Sequence, residues 1–207
     1  MPRVPSPEAS SREELSIKFV NTVAWRLRDL VEDRIATSDS ILKWLVDAEL
    51  ADRRIAAQLR ARWKASPHEA DAFLNAAHGL REALYRIFIA RIGGGRIDPT
   101  ALADINRYLE AALGGVALAP VGDTLRWLPT AGKVAPETLL KPIAWSAVSL
   151  LTGPRALRVK QCQDERGCGW LFVDESRTQN RRWCSMGDCG NLAKSRRHYR
   201  RSQAAEE

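Results

Sequence analysis

Apolar residues recur every three or four positions through most of the chain, which is the spacing of one face of an α-helix. The first such set predicts a helix over residues 12–31, and its inward positions are Leu15, Phe19, Val23, Leu27 and Leu30. Further sets predict helices over 38–48, 50–64, 67–92, 99–113 and 136–152. Ser66 and Glu69 flank Pro67 in a capping-box pattern, so we expect the Ser66 side chain to cap the fourth helix.

Two short stretches have the alternating pattern of β-strands instead. Residues 116–119 and 124–128 predict a hairpin with its turn at 120–123. Residues 170–173 predict a second strand, which 181–183 would pair with on their return. The fold class expected is therefore mainly α with a small β-hairpin (α+β).

The glycine–proline pair at 153–154 divides the chain into two parts of different size. We expect a flexible N-terminus over 1–11, a helical domain over 12–153, a small module over 155–201 and a flexible tail over 202–207. The helical domain is long enough to bury a core. A module of about 50 residues usually needs a metal or disulfides as well.

All four cysteines lie within this small module, as two close pairs that predict one structural Zn²⁺ ion. The ligands would be Cys162, Cys168, Cys184 and Cys189. A tight turn, a strand pair and a helix that supplies the last ligand predict a treble-clef-like zinc finger. Two disulfides or four buried free thiols are alternatives, and His198 is a substitute ligand.

No apolar run approaches the roughly 18–20 residues that cross a bilayer, and residues 1–7 lack the apolar core of a secretory signal. We therefore expect no contact with a membrane and a cytoplasmic location. In that reducing compartment, metal binding is favoured over disulfides.

The net charge of +7 is concentrated near the C-terminus, where residues 177–201 contain eight lysines and arginines but one acidic residue. Such a cluster beside a zinc module favours nucleic acid, and duplex DNA over RNA, whereas the alternative is a solvated basic tail. The residues expected to contact nucleic acid are Arg177, Arg181, Arg182, Lys194, Arg196, Arg197, Arg200 and Arg201.

The larger domain offers fewer chemical signals. Asn21 and Thr22 interrupt an apolar helix face and either line a ligand pocket or satisfy buried backbone groups, of which we favour the second. The sequence contains no glycine-rich phosphate loop, metalloprotease helix or nucleophile elbow, so we expect no enzyme activity.

Two segments carry a resemblance to known families. Residues 168–177 and 181–194, which include Trp-Cys-Ser-Met and Cys-Gly-Asn, resemble the CGNR zinc finger. Residues 19–23, Phe-Val-Asn-Thr-Val, resemble the start of the ABATE domain, which precedes that finger in family members. Two positions depart from the families: Leu192 replaces an arginine after Cys-Gly-Asn, and Lys18 replaces an aspartate. The resemblance implies a bacterial transcription regulator, often described as stress-induced, whose finger binds DNA.

Three functions follow from these patterns, and the first is preferred. The chain is a DNA-binding transcription regulator whose helical domain senses a small-molecule effector or forms a homodimer. Alternatively, the helical domain binds a small molecule or is an enzyme, and the basic zinc tail docks RNA or a protein partner. As a third reading, the zinc module binds an acidic protein partner.

Overall fold

The computed structural model describes residues 14–110, 116–121, 124–129 and 136–203. The helices are α1 (Leu15–Val20), α2 (Ser38–Asp47), α3 (Arg53–Ala65), α4 (Pro67–Ile92), α5 (Pro99–Glu110), α6 (Lys141–Thr152) and α7 (Asn191–Gln203). The strands are β1 (Val23–Ala24), β2 (Glu32–Asp33), β3 (Val116–Val121), β4 (Thr124–Pro129), β5 (Val159–Gln161) and β6 (Leu171–Val173). The mainly α class is confirmed.

Local hydrogen bonds set the start of two helices. The Thr37 side chain accepts from the Ser40 amide and the Ser40 side chain accepts from the Thr37 amide, which is a complete capping box for α2. The Asp52 side chain caps α3 through the Ile55 amide. The predicted Ser66 cap of α4 is wrong, because the Ser66 side chain makes no such bond and the Glu69 carboxylate pairs with Arg62.

Helix α4 is the longest helix described and ends at Gly93, as the sequence predicts. Its apolar face is fully buried, and α1, α2, α3 and α5 pack around it. Phe73, Leu80, Leu84 and Phe88 supply the centre of this core, hereafter the helical core. Burial of such side chains stabilises the fold by roughly 1.5–3 kcal/mol each.

The first predicted helix is wrong over most of its length, because α1 ends at Val20. Trp25 has a φ of 58°, a left-handed conformation that no α-helix accommodates, and β1 pairs with β2 immediately around it. As a result, Leu27 and Leu30 are exposed, at 57% and 87% of their surface, rather than buried.

Three two-stranded antiparallel sheets complete the described fold. The predicted hairpin at 116–128 is present as β3 and β4, with Val121 opposite Thr124, and residues 122–123 of its turn lie outside the described residues. Residues 136–140 form a 3₁₀ turn before α6, which ends at Gly153. No helix in the described part of the chain is long and apolar enough to span a membrane.

The segments expected to be flexible fall largely outside this description. Residues 1–13 and 204–207 are not described, whereas residues 202 and 203 are the last two of α7.

Candidate metal centre and nucleic-acid interface

Strands β5 and β6 hold the first cysteine pair. Cys162 directly follows β5, and its amide donates to the Trp170 carbonyl at 2.7 Å. Cys168 lies just before β6, so the chain between the two cysteines, residues 163–167, forms a tight loop at the end of the hairpin. This loop is called the knuckle below.

The predicted pairing of 170–173 with 181–183 is wrong, since β6 pairs with β5. The buried carboxylate of Asp174 explains the difference, because it accepts from the Ser176 amide, the Arg181 amide and the Lys160 side chain. These bonds wrap the chain after β6 around one side chain instead of extending it into a strand. Burial alone would raise the pKa of Asp174, but the hydrogen bonds from Lys160 and Ser176 outweigh it and lower that pKa.

The second cysteine pair lies in the turn that leads into α7. The Ser185 hydroxyl accepts from the Asp188 amide, and the Ser185 carbonyl accepts from the Gly190 amide. These bonds close a five-residue π-helix over Met186–Gly190, which carries Cys189 and continues into α7. The hydrogen bonds to Ser185 therefore place Cys189 in the turn from which α7 begins.

The four cysteine side chains converge, with all sulfur atoms within 4.8 Å of one another and buried. Cys184 Sγ lies 3.7 Å from Cys168 Sγ and 3.8 Å from Cys189 Sγ. A tetrahedral Zn²⁺ site with bonds of about 2.3 Å requires sulfur atoms about 3.8 Å apart. A disulfide would require about 2.05 Å, so the arrangement fits zinc and not two disulfides.

The chemistry of the thiols agrees with a cation at this point. Hydrogen bonds from Cys168 and then from Cys184 and Cys189 lower the pKa of Cys162, whereas hydrogen bonding to Cys162 raises the pKa of Cys184. The cluster by itself thus favours one thiolate and disfavours a second. A bound Zn²⁺ ion would offset the repulsion between neighbouring thiolates and allow all four sulfurs to be deprotonated. The four cysteines can hold one structural zinc ion.

The segment after β1 packs directly on the knuckle, which local sequence patterns did not predict. The Arg26 amide donates to the Cys168 carbonyl and the Leu27 amide to the Gly167 carbonyl, both at 3.2 Å. Gly167 and Gly169 have φ values of 85° and 67°, and a Cβ on either would lie 2.8 Å from the side chain of Arg28 or Leu27. Both glycines are therefore required by conformation and by the close approach of this segment.

Trp25 and Ala24 extend the same contact into the interior. They are buried in one cluster with the four cysteines, Trp170 and Phe172, hereafter the cysteine cluster. Conversely, Val159 and Leu171 of the finger are buried in the helical core. The two cores are thus completed by residues from each other's part of the chain.

Asn21 joins the two parts at β6. Its side-chain amide donates to the Leu171 carbonyl at 2.8 Å, and its side-chain oxygen accepts from the Leu171 amide at 2.9 Å. Thr22 donates to the Phe19 carbonyl at 2.7 Å and accepts from Arg81 at 3.2 Å. The structure therefore places both residues in buried hydrogen bonds to protein groups, and Asn21 binds the free edge of the finger's strand.

The predicted nucleic-acid residues occupy different environments. Lys194, Arg196 and Arg197 are exposed on α7, and Arg177 and Arg182 are exposed on the finger. Arg181 instead points inward, where it donates to the carbonyls of Trp183 and Cys184 and stacks over Phe172. The side chains of His198, Arg200 and Arg201 lie outside the described residues, although their backbone belongs to α7.

Two family models match the chain. The model of the ABATE family, described as "Putative stress-induced transcription regulator", matches residues 13–154. The model of the CGNR zinc finger matches residues 158–202. Among curated proteins, no match to the chain was found.

Proposed function

Because the chain belongs to the ABATE family and ends in a CGNR zinc finger, we propose that this regulator binds duplex DNA through α7. A zinc ion bound to the four cysteines would hold Cys184 and Cys189 on either side of the turn that starts the helix. The metal would therefore orient α7, and the helix would supply the contacts to DNA.

The exposure of α7 is the observation that carries this proposal. In its described portion, every side chain except the half-buried Ala193 and the undescribed ones is exposed. An isolated helix of 13 residues is marginally stable in water, particularly when like charges crowd along it. A polyanion that neutralises these charges explains why such a helix is kept.

The described basic side chains of α7, those of Lys194, Arg196 and Arg197, are exposed and can meet phosphates. Within the described part of the chain, no hydrogen bond or ion pair engages the side chains of Lys194, Arg196 or Arg197. Arg177 and Arg182 would extend this surface. Arg181 instead donates to a backbone carbonyl inside the finger, so it would stabilise the fold of the finger and not contact DNA directly. Phosphate contacts of this kind supply affinity and register, and contacts to base edges supply specificity.

The test compares two double variants of the full-length protein with equal net charge. Arg196→Ala/Arg197→Ala removes two charges from α7, and Arg53→Ala/Arg54→Ala removes two exposed charges from α3. We expect the α7 variant to weaken binding to random duplex DNA and to reduce the salt slope by about 2, at roughly 0.9 per lost phosphate contact. The α3 variant should bind as the parent does. Equal affinity and slope in all three proteins would reject the assignment.

For the helical part, we propose a role in dimerisation or in sensing an effector. Trp145 on α6 and Leu102 on α5 are exposed large apolar residues on adjacent helices, which supports a contact between two copies. Dimerisation would bring two α7 helices to one DNA site and raise the overall affinity. Light scattering on the parent and on Trp145→Ser tests dimerisation, and a parent that is monomeric at the concentrations of DNA binding would exclude dimerisation and leave effector sensing as the proposed role.

A further inference from the structure

The knuckle contains a buried ion pair that no zinc ligand requires. Arg166 Nε lies 2.9 Å and 3.1 Å from the two carboxylate oxygens of Asp164. The side chains are only 11% and 4% exposed. An ion pair removed from water to this degree costs desolvation energy, so its retention beside the cysteines calls for an explanation.

The guanidinium of Arg166 reaches a ligand sulfur. Its Nη2 atom lies 3.8 Å from Cys189 Sγ, within the distance of an N–H···S hydrogen bond. The Arg166 carbonyl accepts from Arg28 Nε, and the guanidinium faces the ring of Trp25 at 5.3 Å. These contacts and Asp164 hold the arginine in one orientation toward the sulfur.

We infer that Arg166 is a positioning residue of the zinc centre, where its guanidinium stabilises the Cys189 thiolate and Asp164 keeps it aligned. Four thiolates around Zn²⁺ carry a net charge of −2 in a buried site. A charge-assisted N–H···S bond disperses part of that charge and orients the ligand. Asp164 also lies within reach of Cys189, so without Arg166 a carboxylate would stand beside a thiolate.

This role also accounts for the length of the knuckle. Five residues separate Cys162 from Cys168, three more than in the compact Cys-x-x-Cys turn. The additional residues place Asp164 and Arg166 next to Cys189. They also allow the Gly167 carbonyl to accept a hydrogen bond from the Leu27 amide.

The first measurement is zinc affinity of the full-length protein, by competition with a chromogenic chelator. Arg166→Gln should weaken zinc binding by about 10–100-fold, as loss of a residue that orients a metal ligand typically does. Arg182→Gln is the matched control, because Arg182 is an exposed arginine of the same finger that bonds to Gln163 and not to sulfur. Equal affinities for the two variants would overturn the inference.

A second measurement separates the sulfur contact from the ion pair. In Asp164→Asn/Arg166→Gln, no unpaired charge remains, but the N–H···S bond is still absent. We expect iodoacetamide to alkylate Cys189 of the zinc-loaded double variant several-fold faster than in the parent, with Cys162 and Cys184 unchanged. A double variant with the parent's zinc affinity and alkylation pattern would show that only the ion pair matters, which contradicts the inference.

Discussion

The helical core and the cysteine cluster are stabilised in opposite ways. The helical core consists of large apolar side chains such as Phe73, Leu84 and Phe88, which are fully buried against one another. The cysteine cluster has few apolar side chains, and at its centre are four cysteines whose thiolates would need a metal cation to balance their charge. The difference shows that one chain can bury an apolar core where its length suffices and use a metal where it does not.

The two cores nevertheless depend on each other. Leu171 belongs to the finger by sequence but is buried in the helical core, and Trp25 of the N-terminal part is buried among the cysteines. Asn21 connects them through two hydrogen bonds to Leu171. The contrast between apolar and metal-based stability therefore describes two cores and not two separable bodies.

Removal of zinc is expected to have the largest effect. Structural zinc ions contribute roughly 10–16 kcal/mol of apparent folding free energy in small zinc domains at neutral pH. After chelation, we expect hydrogen exchange to accelerate in residues 159–190 and also in 21–34, because the Arg26 and Leu27 amides lose their acceptors, the carbonyls of Cys168 and Gly167. Exchange in α4 should change less. Added zinc should restore the original pattern, and acceleration confined to 159–190 would show that the cores are independent.

Asn21→Ala is expected to have the next largest effect. The substitution leaves the buried amide and carbonyl of Leu171 without partners, at about 1–3 kcal/mol for each group. We therefore expect a loss of about 2–5 kcal/mol in urea unfolding of the zinc-loaded protein. Asn180→Ala is the matched control, because Asn180 is exposed and should change stability by less than about 0.5 kcal/mol. Similar losses of unfolding free energy for both variants would show that the Asn21 hydrogen bonds to Leu171 do not stabilise the contact between the two cores.

Two glycine substitutions are expected to change the stability by smaller amounts, one lowering it and the other raising it. Gly169→Ala forces an alanine into a φ of 67° and against Leu27, which should cost about 1–3 kcal/mol. Gly79→Ala, at an exposed position of α4 with open space around it, should stabilise the protein by about 0.5–1 kcal/mol. Thermal unfolding of both variants checks the prediction. A Gly169→Ala protein as stable as the parent would mean that Leu27 does not pack closely against residue 169.

The sequence predicted those elements whose determinants are local. The three-four spacing of apolar residues located α2, α3, α4 and α6, and the capping groups are close to the helices they start. The zinc ligands were predicted for the same reason, since the spacing of cysteines within one module is read directly along the chain.

The failed helix prediction over residues 21–31 has its cause far away in the sequence. The apolar spacing continues past Val20, but residues 21–28 are bound by β6 and the knuckle, about 140–150 positions later. Those contacts override helix propensity, which is worth less than about 1 kcal/mol per residue. The pairing of β6 was also missed. Asp174 redirects the chain after β6 through three hydrogen bonds, which strand patterns in the sequence do not reveal.

The exchange of residues between the two cores bears on how this chain can be recombined by gene fusion. A finger cut out near residue 155 would carry Val159 and Leu171 into water, while the remainder would keep Trp25 without the cysteines that cover it. Neither fragment would contain all the residues of its own core. Fusion events that move the finger to a new host protein should therefore carry the helical part and the finger together.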